Sequence, residues 1–226
     1  MGSILSALNE VRERIEHCAL KSGRSAEQVK LIAVSKSKPA QLVRQAYEAG
    51  QRDFGENYVQ ELTAKAQALA DLTDLRWHMI GHLQTNKVKS VAPLVHMVQS
   101  VDSVRLADEL ARRAQSVGKR IAVLLEINVG GEQHKTGASL SEARDLFQAA
   151  GSHPALWLRG LMTVPPFELQ ASETSLQFEK LRQLRDELGG AGVLPELSMG
   201  MSHDFEQAIA AGATMVRVGT LIFGAR

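Results

Sequence analysis

Apolar positions along the chain switch repeatedly between two periods. Ile4, Leu5, Leu8, Val11, Ile15 and Ala19 recur at helical spacing and predict an opening helix over 4–20. A short β-branched run follows at 29–35. A helical pattern over 39–49 comes next, with Pro39 suited to a first turn and Gly50 to a stop. The same exchange then repeats. Further strands are predicted at 53–55, 75–80, 95–100, 120–129, 156–163, 196–199 and 214–218. Helices are predicted between them at 58–69, 85–92, 104–117, 141–150, 173–188 and 203–211. Gly118 and Gly151 stand behind two of these as stops.

Eight strands alternating with helices imply parallel strands joined by helical crossovers. In a chain of 226 residues that rhythm suggests a single (β/α)8 TIM barrel, class α/β, over 1–226. No long linker or shift of composition divides it. A doubly wound open sheet is the alternative. It usually carries a glycine-rich first turn, and SKSKPA stands at that place instead. The sequence runs out at GTLIFGAR, soon after strand eight, with little room for a final helix. The extra N-terminal helix at 4–20 is expected to fill that gap.

Composition narrows the function. Hydrophobic residues make up 44% and charged residues 23%, enough for a large core. The net charge of +1 gives no electrostatic case for nucleic acid or a membrane surface. No apolar run approaches the roughly 20 residues of a membrane span. Cys18 is the single cysteine, so an internal disulfide is impossible and a reducing, cytoplasmic setting fits. It is expected to be an inert buried thiol. The start Met-Gly-Ser, with Ser6, matches a myristoylation pattern, but the helical pattern behind it favours a plain N-terminus.

Barrel active sites sit where strands end. Those ends read Lys36; Glu56-Asn57; His78 and His82; Ser100 and Asp102; Asn128; Met162-Thr163; Ser198 to Ser202; and Arg217 to Thr220. Polar loop residues at strand ends are ordinary, and that explains most of them. It explains Lys36 and Arg217 less well. Lys36 shares a strand face with Ile32 and Val34, and Arg217 shares one with Met215 and Gly219. A cation beside buried apolar neighbours is costly unless paired or used. Strands one and eight are neighbours in a closed barrel. In the loops after strands seven and eight, Ser198, Ser202, Gly219 and Thr220 suit a phosphate site, with Ser202 as helix N-cap.

A lysine, an arginine and a phosphate cup share a natural ligand in pyridoxal 5′-phosphate (PLP). It carries an aldehyde for a lysine imine, a ring nitrogen and a phosphate. Lys36 would form the imine, with Lys38 and Arg217 favouring its neutral amine. Arg217 can only donate hydrogen bonds, so opposite the ring nitrogen it would hold that atom unprotonated. That makes a weak electron sink. Another phosphorylated carbonyl compound on Lys36 is a further reading.

The segments LIAVSKSKP, FGENYVQEL, WHMIGHLQTNK, LLEINVGGEQHKTG, LRGLMTVPP and LSMGMSHDFEQAIAAGATMVRVGTLIFGAR lie between 31 and 226. Together they resemble the pyridoxal phosphate homeostasis protein family, whose barrel is like the alanine racemase N-terminal domain. The resemblance implies a fold-type III PLP-binding barrel, with the imine on Lys36 and the ring nitrogen facing Arg217. It implies phosphate contacts from Ser198, Met199, Ser202, Gly219 and Thr220, largely through backbone. Asn57 and His78 would flank the ring and Met162 would pack near it. The implied role is cofactor homeostasis: binding, buffering or transfer of PLP to apo-enzymes, without substantial catalysis. A small fold-type III enzyme such as an amino-acid racemase is the alternative. Such racemases take a second base, a tyrosine, from a β domain across a dimer. That domain is not expected here, so a monomer is expected. Tyr47 and Tyr58 read as packing residues.

Other constellations are weak. His78, His82, His96 and His134 have no metal-ligand spacing. His203-Asp204 does not form a triad, and Asp204 reads as a first-turn acid. Glu132, Lys135 and Thr136 read as a solvated loop or as a cover over the cofactor.

Overall fold

The structure is a computed structural model and describes residues 3–132 and 136–225. His134 and Lys135, weighed above as metal ligand and loop cover, lie outside the described residues, as does the start Met-Gly.

Eight parallel strands close into a barrel in chain order. They are β1 (Lys30–Val34), β2 (Asp53–Glu56), β3 (Arg76–Met79), β4 (Met97–Val101), β5 (Ile121–Glu126), β6 (Leu156–Met162), β7 (Glu196–Met201) and β8 (Met215–Val218). The helices are α1 (Ile4–Lys21), α2 (Ala40–Glu48), α3 (Val59–Ala68), α4 (Val88–Val91), α5 (Val104–Ser116), α6 (Ala143–Ser152), α7 (Ala171–Glu187), α8 (Phe205–Ala210) and α9 (Thr220–Phe223). The β1–β8 seam sets Ile32 opposite Arg217. The open sheet is thereby excluded. α1 lies against α2, α8 and the single turn α9.

Strand alternation sorts side chains into two cores. Ile32, Met97, Ala122, Leu124, Met162 and Met215 form a small cluster inside the barrel. The larger core lies between strands and helices and includes Leu31, Ala33, Phe54, Leu125, Leu197 and Val216. Packing at one seam demands a glycine. A Cβ on Gly160 would fall 1.8 Å from the Glu196 carbonyl oxygen, so only glycine lets β6 run this close to β7.

Several expected boundaries move for local reasons. The helix expected at 85–92 divides into a 3₁₀ turn, Thr85–Lys87, and the single turn α4. Gly151 does not stop α6, which runs on to Ser152. The stop falls at His153, extended as a residue before proline must be. Pro39 is the N-cap of α2 rather than part of its first turn. Ser202 does not cap α8. Asp204 holds that place, and its Oδ1 accepts from the Met201 N–H at 2.5 Å. Cys18 is half-buried rather than buried, and burial followed by the charge of Glu206 raises its pKa.

Candidate functional site

A cavity of about 270 Å³ opens at the C-terminal mouth of the barrel. Lys36, Asn57, Ser202, Arg217, Gly219 and Thr220 line it, with Val34, Ile80, Val164 and Met201 as apolar wall. Lys36 enters from the turn that follows β1, so the end of a buried strand delivers an amine to the mouth. The rings of Phe167 and His203 meet edge to face at 4.8 Å on the rim.

Arg217 is almost wholly buried. Burial pushes its pKa down to about 10, against the pull of Asp204 and Glu126, so it stays cationic at neutral pH. Its Nη1 donates to Ser198 Oγ at 2.6 Å and its Nη2 to the Thr163 carbonyl at 2.8 Å. Behind it runs a directed chain. Ser198 donates to Gln99 Oε1 at 2.6 Å, and Gln99 Nε2 lies 3.1 Å from His78 Nδ1. An amide nitrogen only donates, so Nδ1 accepts and the neutral ring carries its proton on Nε2. That proton goes to Asp53 Oδ1 at 2.8 Å. Asp53 also accepts a forked pair from Arg76 at 2.6 and 3.0 Å. Burial opposes ionisation of Asp53, but the bonds from His78 and Arg76 outweigh it and hold the carboxyl well below the usual range. Asp53 and Arg76 begin β2 and β3. The chain therefore crosses the barrel from its mouth to its opposite end.

This placement divides the expected site residues. Lys36, Asn57, Ser202, Arg217, Gly219 and Thr220 share the cavity. His78 and Met162, expected at the ring, do not line it. His78 belongs to the interior chain and Met162 to the interior apolar cluster. Ser198 spends its hydroxyl on Arg217 and Gln99 rather than facing a phosphate. The Met199 side chain packs in the outer core and does not line the cavity. The Ser202 hydroxyl accepts from Gly219 N–H at 3.2 Å across the β7–β8 seam. Lys38 turns away to the Ala225 carbonyl at 2.7 Å.

Gln99, Asp53, Lys65 and Glu126 escaped the sequence reading, and Glu56 entered it only as a strand end. A signal existed for two of them. Gln99 stands two residues after Met97 and Glu126 two after Leu124, in phase with the interior positions. Burial raises the pKa of Glu126, against a 2.6 Å hydrogen bond from Thr136.

The donor set fits a phosphorylated aldehyde with a ring acceptor. One further observation favours a ligand. Oδ1 of Asn57, a cavity-lining residue, is buried without a hydrogen-bond partner, and a buried acceptor of this kind calls for a donor. A Cβ on Gly219 would stand 3.0 Å from the Val34 carbonyl, so this wall stays thin enough for close approach. Among the described residues, no group of three or more His, Cys, Asp or Glu is placed to hold a metal. No helix there is long and apolar enough to cross a membrane.

Residues 8–226 match the family described as alanine racemase, N-terminal domain. The pyridoxal phosphate homeostasis protein of Aquifex aeolicus is 46% identical, over 97% of this chain and 96% of that protein. PipY of Synechococcus elongatus, solved with PLP bound, is 38% identical, with a TM-score of 0.86 over 98% of this chain and 100% of that chain. Alanine racemase of Clostridium difficile shares the fold at 17% identity, with a TM-score of 0.76 over 99% of this chain and 57% of that one. The chain belongs to the alanine racemase N-terminal domain family, in its pyridoxal phosphate homeostasis protein branch.

Proposed function

We propose that this protein, as a single barrel domain over 1–226, binds PLP for cofactor homeostasis: it holds, buffers and hands on the aldehyde. The observation that carries this reading is the convergence of Lys36 and Arg217 on one cavity across the β1–β8 seam. The PLP found in PipY supports it. Lys36 would hold the cofactor through its neutral amine, the group that condenses with an aldehyde with loss of water. Arg217 would donate to the ring nitrogen and, cationic at neutral pH and fixed from behind, keep its own protons, so the ring nitrogen stays unprotonated. Ser202, Gly219 and Thr220 hold the phosphate, with the peptide groups near Met199 alongside. Asn57 lies beside the ring, and Ser198, His78 and Met162 support the floor. The bound cofactor supplies a conjugated ring that can delocalise charge from an amino-acid carbon, and an unprotonated ring nitrogen weakens that capacity.

Carrier chemistry is favoured over racemisation by the tyrosines. Tyr47 donates its hydroxyl to Asp74, and Tyr58, the N-cap of α3, is exposed. Neither lines the cavity, so neither stands ready as the second base. The protein acts as a cytoplasmic monomer, and apo-enzymes that need PLP are its recipients.

The test is a titration with PLP followed by absorbance, then a panel of amino acids at stoichiometric loading. Saturable binding with no racemisation or transamination above free PLP is expected. Multiple turnovers on any amino acid would replace the carrier with an enzyme.

A further inference from the structure

The turn that bears Lys36 is held on both sides by one buried ion cluster. Lys65, on α3, is almost wholly buried. Its ammonium lies 2.7 Å from the Ser35 carbonyl, 2.6 Å from Glu56 Oε1 and 2.9 Å from Glu61 Oε2. Three protons meet three acceptors, so the ammonium is saturated. Glu61 Oε2 also accepts the Ser37 N–H at 2.7 Å. The peptide groups before and after Lys36 are thus tied to the same lysine, one directly and one through Glu61. Ser35 adds a hydroxyl bond to Glu56 Oε1 at 2.6 Å.

Two details argue that this cluster serves the turn. Ser37 is the non-glycine residue that the described backbone holds at positive φ, +60°. Such a conformation persists only where its surroundings enforce it, and the Ser37 N–H bond to Glu61 is part of that enforcement. Glu56, the cluster's second carboxylate, is itself tied to the turn through the Ser35 hydroxyl. A buried ion cluster is a poor way to gain stability alone, since apolar side chains of similar volume often do as well. Its yield here is geometry at Lys36.

We propose that Lys65 and Glu61 are positioning residues that preset the Lys36 amine for attack on the ligand's aldehyde, while Lys65 itself forms no bond to the ligand. This inference rests on the PLP reading above.

The test compares wild type, Lys65→Met and Glu61→Gln with two ligands. PLP reports covalent capture, by stopped-flow absorbance and by borohydride trapping at Lys36. Pyridoxine 5′-phosphate carries an alcohol in place of the aldehyde and reports the non-covalent site alone. Displacing a reacting group by about an ångström costs a hundredfold at the upper end, so capture at Lys36 should slow by about tenfold or more in Lys65→Met. Affinity for pyridoxine 5′-phosphate should change by less than about twofold, because the phosphate and ring contacts stay in place. Glu61→Gln keeps the Lys65 bonds to Glu56 and Ser35 and should give a smaller slowing in the same direction. It carries the test if Lys65→Met fails to fold by circular dichroism. Wild-type capture rates in folded variants would overturn the inference. Equal losses for both ligands would also overturn it, by showing a collapsed pocket. Failure of wild type itself to form the Lys36 adduct would instead sink the PLP reading.

Discussion

Arg217 Nη1 sits 2.6 Å from the hydroxyl of Ser198, which passes its own proton to Gln99 at 2.6 Å. The cation at the mouth is therefore the first donor of a chain, each member of which accepts from the one before it. Only Asp53 at the far end carries the opposite charge. Arg217 hydrogen-bonds to neutral groups, with Asp204 and Glu126 acting on it through charge alone, so donor hydrogens remain for the cavity side.

Ser198→Ala removes an acceptor from Arg217 and a donor from Gln99. Gln99→Leu removes the next link. Each leaves buried polar groups unsatisfied, a loss of about 1–3 kcal/mol, which urea unfolding should read as a lower midpoint at unchanged slope. Because the two residues share one chain, the double variant should lose less than the sum of the singles. Strict additivity would show that the links act independently.

The far end of the chain sets a pH dependence. Burial lowers the pKa of His78 from 6.5, against the pull of Asp53, and the charges of Lys30 and Arg76 lower it a little further. His96, its ring 5.6 Å away, is shifted the same way by burial. The unfolded ring takes a proton near 6.5 and the folded ring only at lower pH. Stability is thus full above about 6.5 and falls as pH drops below it, by up to about 1.4 kcal/mol per unit for one proton. Asp53, its pKa lowered, adds a further loss below its ordinary 3.8. Glu56 and Glu126, raised by burial, act in the opposite sense as pH falls toward 4.5. His78→Asn should be less stable at pH 8 yet flatter between pH 6.5 and 5, with His96 keeping a residual slope. An unchanged slope in urea titrations would count against a buried neutral His78.

Gly81 packs under the loop that carries Asn57. A Cβ there would lie 2.4 Å from the Asn57 carbonyl oxygen, so backbone must move. Gly81→Ala should displace Asn57 and weaken PLP binding by about tenfold, a loss of about 1.4 kcal/mol. Equilibrium dialysis checks this, and wild-type affinity would show that Asn57 is not a cofactor contact.

Ser202 and Gly219 bridge the loops after β7 and β8 through one 3.2 Å hydrogen bond. A phosphate placed there would take over the Gly219 N–H and free the Ser202 hydroxyl to donate. Ser202→Ala should lower affinity for PLP and pyridoxine 5′-phosphate alike, by about five- to tenfold for one hydrogen bond to a charged group. An effect on PLP alone would place Ser202 at the aldehyde and not at the phosphate.

The barrel was legible because period-2 and period-3.6 segments alternate cleanly from Val29 to Val218, and because Lys36 and Arg217 end strands that only closure makes neighbours. What escaped depends on contacts far apart in sequence. Lys65 reads as an ordinary helix lysine until α3 folds it under the Lys36 turn, 30 residues from its acceptor on Ser35. Gln99 and Ser198 meet across 99 positions. Ser202 misses the cap for a local reason: its hydroxyl accepts the Gly219 N–H across the seam, and the helix begins only after Asp204.

Lys36 is the residue proposed to capture PLP. The direct measurement is borohydride reduction of the protein–PLP mixture followed by peptide mass mapping, beside Lys36→Ala. One adduct at Lys36, absent from the variant while circular dichroism shows it folded, is the predicted result. No adduct, or one spread over surface lysines and unchanged in Lys36→Ala, would contradict it.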